Sequence, residues 1–216
     1  MKKRTDITII LDRSGSMDSI KEATIEGFNS FLKKQKSGDF ETNVTLVQFD
    51  DEYQMVYEGQ NSTNVKYLNN KSYVPRGMTA LLDAIGTTIT LAKKRIKAIE
   101  KLDRPENVIT AIITDGEENA STKYTRESIL KMIRKREGKN NWNFVFLAAN
   151  QDAIAEGSKF GIRKERALTF KATGNGMKNA FHSLSNLSYD LNADSICNFK
   201  FSKEDREKQQ EDLIGN

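Results

Sequence analysis

Short apolar runs of strand length alternate with stretches of helical periodicity along the chain, and this alternation restricts the fold more than any other feature. It is the pattern of a parallel sheet flanked by helices. The run DITIILD, Asp6 to Asp12, reads as a first buried strand. Met17 to Ser37 then carries Ile20, Thr24, Phe28, Phe31 and Leu32 at helical spacing, with Gly38 as the stop. Val44 to Phe49 and Tyr53 to Tyr57 are joined so tightly at Asp50 and Asp51 that only an antiparallel hairpin fits, so one edge strand runs backwards. The polar run from Asn61 to Met78 has few apolar anchors and ends in the punctuation of Pro75 and Gly77; it is expected to shift more easily than the strand ends.

Thr79 then opens a helix with apolar positions at Leu82, Ile85, Ile89, Ala92 and Ile96. NVITAIITDGEEN is a continuous apolar strand ending at Asp115, of the kind buried on both faces. A basic helix (TRESILKMIRKRE), a buried strand (NWNFVFLAAN), a short helix (DAIAEGSKFG), a last strand (RALTF) and a last helix (GMKNAFHSLSNL) complete the series. The reading is an α/β, doubly wound and mostly parallel sheet with one antiparallel edge strand and helices on both faces. Residues 1–190 form the domain and 191–216 a polar extension in which SKEDREKQQED can form a solvated helix.

A chain of 216 residues suffices for one such domain and is short for two. With 37% hydrophobic and 30% charged residues a core can form under a wet surface. The single Cys197 has no disulfide partner within the chain and favours a reducing compartment. The opening apolar run, Ile7 to Leu11, is too short for a signal core, and no segment approaches the roughly 20 apolar residues of a membrane span. The expectation is a cytoplasmic protein with no membrane partner. A net charge of +4 is no nucleic-acid signature, and the basic runs KKRIK, RKREGK and GIRKER lack interleaved aromatics, so they read as solvated faces.

Two of the strongest buried strands end in an acid, Asp12 and Asp115. In a doubly wound sheet the ligand site lies beyond the carboxyl ends of the strands, where strand order reverses. If these strands are neighbours, both carboxylates meet there. Ser14 and Ser16 follow Asp12, and Thr79 lies at the start of a helix, so three hydroxyls can converge on the same spot. Two carboxylates and three hydroxyls make an all-oxygen shell suited to Mg²⁺ or Mn²⁺ rather than zinc or copper. Taken singly, the hydroxyls also fit helix capping.

The segments DRSGSM, GMTAL and ITDGEEN resemble the three parts of the metal-ion-dependent adhesion site of von Willebrand factor type A domains, in which Asp-x-Ser-x-Ser is followed by a Thr and then an Asp. The resemblance covers roughly residues 5 to 188 and carries the metal set to Asp12, Ser14, Ser16, Thr79 and Asp115. It implies an intracellular, bacterial or phage-like member in which Ser14, Ser16 and Thr79 are the more direct ligands and the aspartates act through water. It further implies a Mg²⁺-dependent protein–protein interaction module whose metal takes an Asp or Glu carboxylate of a partner, in some members within a larger assembly, and movement of the last helix around Met177 to Leu187 on binding.

The alternative is metal-dependent phosphoryl or ester hydrolysis at the same spot. Hydrolases of that kind need a second acid two positions after the strand-end Asp, where Ser14 stands, and no nucleophile is paired with a base, so the chain reads as no enzyme. His182 is expected to be a partly buried helix residue, Cys197 a small apolar filler, and Trp142 an anchor of its strand. Asp18, Glu117 and Glu118 are expected to make the rim acidic.

Overall fold

The computed structural model describes residues 3–38, 40–138, 141–149, 152–193 and 199–214. Cys197 lies outside them. Six strands make one sheet: β1 (Arg4–Asp12), β2 (Glu41–Phe49), β3 (Tyr53–Asn61), β4 (Asn107–Thr114), β5 (Trp142–Ala149) and β6 (Ala167–Phe170). Their order is β3-β2-β1-β4-β5-β6, all parallel except the β2–β3 pair. The chain winds from β1 to one side through β2 and β3, then returns across to β4, β5 and β6. The reversal therefore falls between β1 and β4, which pair directly with Leu11 opposite Ile113.

Among the described residues, six α-helices surround the sheet: α1 (Lys21–Ser37), α2 (Leu81–Ala98), α3 (Arg126–Glu137), α4 (Ala153–Lys159), α5 (Gly174–Ala193) and α6 (Lys203–Ile214). Side chains alternate across a strand, so β1 feeds two cores. Ile7, Ile9 and Leu11 pack with Phe28, Phe31, Phe181 and Leu184 of α1 and α5. Ile10 packs with Leu82, Ile85 and Ile89 of α2 and with Ile129 and Ile133 of α3. Asp12 has the parity of Ile10 and so belongs on the α2 side. All eight residues of β4 are buried, which is why its sequence is apolar without alternation. Trp142 opens β5 at 4% exposure and lies 6.1 Å from the ring of Phe144.

The first helix begins later than its periodicity predicts. A 3₁₀ turn, Gly15–Ile20, precedes it, because the chain must first swing its hydroxyls over the strand ends.

The run from Asn61 to Met78 is not the loose segment its composition suggests. Three of its apolar residues are deeply buried anchors, Val65, Leu68 and Tyr73 at no more than 3% exposure, while Tyr67, Val74 and Met78 are exposed. Polar groups complete the attachment. Asn29 exchanges hydrogen bonds with the backbone of Leu68, Lys36 Nζ donates to Val65 O, and Gln48 Nε2 donates to Ser72 O. Further on, Gly77 adopts φ +65°, and a Cβ there would lie 2.0 Å from Asp51 Oδ1, so only glycine fits the turn.

Both borders of the sheet are irregular. The β2–β3 ladder breaks register on either side of Leu46, and Gly59 in β3 has φ +56°. On the other border, the amide of Phe201 donates to Glu165 O, and Arg206 donates to Lys164 O and Ala167 O. Phe199 and Phe201 are buried in the α1/α5 core.

Candidate metal centre

Three loops meet at the carboxyl ends of β1 and β4. Asp12 is fully buried; its Oδ1 accepts from Ser14 N at 2.6 Å and its Oδ2 from Thr114 Oγ1 at 2.5 Å. Its carbonyl accepts from the buried Tyr73 hydroxyl at 2.7 Å. Ser14 Oγ lies 3.1 Å from Ser16 Oγ, and Ser16 Oγ donates to Asp115 Oδ1 at 2.6 Å. The ideal position of a Cβ on Gly116 lies 2.9 Å from Thr79 Oγ1, 3.5 Å from Ser16 Oγ and 3.6 Å from Ser14 Oγ. All three hydroxyls thus lie within 3.6 Å of one point beside Gly116 where the chain has no side chain. All five residues singled out in the sequence come together, drawn from three separate loops.

The capping alternative does not describe these hydroxyls. Ser14 precedes the 3₁₀ turn without a side-chain cap, and α2 starts two residues after Thr79, with Ala80 at its N-cap. The α2 amides are taken instead by the loop after β4. Glu118 Oε2 accepts from Leu82 N, and Ser121 Oγ from Asp83 N, while Asp83 accepts from the amides of Thr122, Lys123 and Tyr124. Glu118 is therefore a cap held by four hydrogen bonds, not a rim acid, because its carboxylate also takes the amides of Ala120 and Ser121 and the Ser121 hydroxyl. Asp18 and Glu117 are exposed as expected.

Thr79 is fixed through its backbone. Its amide donates to Asn119 Oδ1, and its carbonyl accepts from the amides of Asn119 and Ala120. The preceding turn is tied to the β1 loop by Gly15 N to Gly77 O and Arg76 N to Arg13 O. Arg13, next to Asp12, turns away to the fully buried Asp50, which also receives Arg76 Nε and the Glu52 amide. That cluster needs both arginines, since an uncompensated carboxylate at that depth would be strongly disfavoured.

The same argument applies with opposite outcome at the centre itself. Among the described residues neither Asp12 nor Asp115 has an ion-pair partner. Burial pushes Asp12 up from 3.8 to about 6, against the lowering effect of the Thr114 and Ser14 hydrogen bonds, and the nearby Asp115 raises it further. Burial raises Asp115 as well, while the Ser16 hydroxyl opposes it. Two poorly compensated acids facing three hydroxyls form a donor set that a hard divalent cation fits. Among the described residues no group of three His, Cys, Asp or Glu is placed to hold a metal, so hydroxyls must supply part of any shell.

Sequence reasoning did not reach Thr114, Tyr73, Gly116 or Asn119, which orient the five. Only Gly116 left a signal, as the residue directly after a strand-end acid. His182 is exposed rather than partly buried, on the outer side of α5 with Asn186.

A doubly wound sheet with oxygen donors gathered over its switch point defines a Rossmann-like α/β domain with its ligand face at the strand ends. A profile of the von Willebrand factor type A domain matches residues 6–186, and the chain belongs to that family. The metal-ion-dependent adhesion site of such domains typically binds metal for protein–protein interaction. No curated protein sequence matches the chain. Among solved structures it is similar to proximal thread matrix protein 1 of the mussel byssus with a zinc-occupied MIDAS motif, at 15% identity and a TM-score of 0.60 over 87% of this chain and 46% of that one. It is also similar to the vWF domain of the type V pili tip protein Mfa5 from Porphyromonas gingivalis, at 9% identity and a TM-score of 0.63 over 88% and 96% of the two chains. A von Willebrand factor type A structure from Catenulispora acidiphila gives 16% identity and a TM-score of 0.55 over 87% and 43%. The chain thus spans less than half of the mussel and Catenulispora proteins. At these identities the likeness is one of fold.

Proposed function

We propose that the chain is a Mg²⁺- or Mn²⁺-dependent protein–protein interaction module, with a complete metal-ion-dependent adhesion site of Asp12, Ser14, Ser16, Thr79 and Asp115. The observation that carries the reading is the convergence of three hydroxyls within 3.6 Å of the Gly116 Cβ position, beside two carboxylates without cationic partners. Ser14, Ser16 and Thr79 would hold the ion directly, and Asp12 and Asp115 would steady it from behind. The bound cation would supply an electrophilic contact for an Asp or Glu of a partner protein. Hydrolysis at this site has no support from a paired nucleophile and base, since Ser14 Oγ meets Ser16 Oγ.

The lone cysteine supports a cytoplasmic setting; among the described residues no helix is long and apolar enough to cross a membrane. We also propose that residues 1–190 are the domain proper and that 191–216 are a polar extension, whose described part from Phe199 onward packs on β6 and on the α1/α5 core.

The test is a thermal melt with Mg²⁺, Mn²⁺ or EDTA, paired with capture of partners from the native source under the same conditions. The cations should raise the melting temperature, and Asp12→Ala should remove both that gain and EDTA-sensitive capture while leaving the far-ultraviolet dichroism unchanged. A full metal response in Asp12→Ala would move the site elsewhere. Metal-dependent turnover of phosphate monoesters or simple esters, lost in Ser14→Ala, would replace binding with catalysis.

A further inference from the structure

The far end of the sheet, where β4 and β5 begin, holds a cavity of about 450 Å³ that the metal centre does not use. It falls within the size range of small-molecule sites. Since β4 runs eight residues, roughly 25 Å separate it from the carboxyl ends. Its floor is apolar, made by Ile96, Pro105, Val108 and Trp142. Its rim is cationic: Lys93, Lys97, Arg104 and Arg136 stand against one acid, Glu106.

These cations are not consumed by the fold. Among the described residues the side chains of Lys93 and Lys97 make no hydrogen bond or ion pair. They lie one helical turn apart on α2, a like-charge spacing that disfavours the bare helix. The Arg104 guanidinium is aimed in advance. Its Nε donates to Ile99 O at 3.0 Å and its Nη2 to Lys97 O at 2.8 Å, which fixes the plane and leaves Nη1 free. Arg136 lies 5.9 Å from the centre of the Trp142 ring and has no carboxylate partner among the described residues. Asn141 donates to Glu106 O, so its amide is held at the mouth with its own oxygen unspent.

We propose that this cavity binds an organic phosphate: a small phosphate monoester whose anionic group is held by Lys93, Lys97 and the free edge of Arg104, and whose apolar or aromatic body rests on the Ile96–Val108–Trp142 floor. A fixed guanidinium flanked by mobile ammonium groups suits a phosphate dianion. An apolar floor beneath them adds selectivity for an ester over inorganic phosphate.

Trp142 is the only tryptophan in the chain, so its fluorescence reports on this cavity directly. Adenosine monophosphate is the probe, with inorganic phosphate and adenosine as its two fragments and a short single-stranded oligonucleotide as the polymeric source of the same chemistry. Saturable change with the monophosphate, at least about tenfold tighter than either fragment, is expected. Lys93→Glu and Lys97→Glu should each weaken it by about tenfold. Lys66→Glu, an equal charge change on an exposed loop residue, should not, and neither should Asp12→Ala. No saturation below about 10 mM, equal binding of the fragments, tighter binding of the oligonucleotide, or equal losses in Lys66→Glu would each overturn the proposal.

Discussion

At the scale of single residues, the proposed metal centre rests on one missing methyl group. Gly116 has no left-handed φ, so alanine there costs no backbone strain, yet its Cβ would sit 2.9 Å from Thr79 Oγ1 and within 3.6 Å of the Ser14 and Ser16 hydroxyls. Gly116→Ala should therefore fold normally and lose most of the cation-induced rise in melting temperature, read in parallel melts with and without Mg²⁺. The proton competes for the same ground. Because Asp12 is raised from 3.8 to about 6, the folded chain keeps that proton where the unfolded chain has lost it. The metal-free protein should thus lose up to about 3 kcal/mol of stability as the pH climbs from about 4 past 6. The cation's stabilising effect should grow over the same rise, since the carboxylate must be bare to serve it. Melts across that range, with Mg²⁺ and with EDTA, check both signs, and a cation effect independent of pH would count against Asp12. The five residues proposed as donors were legible because each stands next to a strand end or helix start in its own segment. Thr114, Tyr73 and Asn119 were not, because each acts on a partner between 40 and 102 positions away, and nothing in their own neighbourhoods marks them.

At the scale of elements, the start of α2 and the loop after β4 are a reciprocal clasp. Glu118 takes amides of α2 and of its own loop, and Asp83 of α2 takes three amides of that loop. Glu118→Ala should lower stability by about 1–2 kcal/mol, seen as a shift of the urea midpoint. It should also weaken the cation response, because the backbone of Thr79 is tied to the same loop. Glu118→Gln, which keeps an acceptor, should recover part of both; a variant that loses stability but keeps the full cation response would separate the clasp from the site. The strands were legible for a physical reason: parallel strands buried on both faces must be apolar throughout. The segment from Asn61 to Met78 was misleading for an equally physical one. Composition counts anchors without weighing them, and three side chains buried to 3% exposure or less, with hydrogen bonds from Asn29, Lys36 and Gln48, attach this polar loop to the core.

At the scale of the whole molecule, the sheet separates two chemistries: acids and hydroxyls at the carboxyl ends of the central strands, unpaired cations at the amino ends of β4 and β5. The order of strands fixes the first, since Asp12 and Asp115 can meet only if β1 and β4 are neighbours, and their pairing makes them so. The second was hidden in the sequence because Lys93, Arg104, Arg136 and Trp142 come from four segments whose basic residues, read one at a time, are ordinary helix ends. The sheet's borders carry a further consequence. An intact row of free amides along an outer strand is a template on which another chain can zip, and a chain with a net charge of only +4 has little long-range repulsion to keep copies apart. Here β3 is broken in register and turned by Gly59, while β6 is four residues long with Arg206 donating to the carbonyl of its first residue, Ala167. Neither border offers an uninterrupted template, so whatever guards this sheet against edge-to-edge pairing lies in the shape of its outer strands rather than in charge.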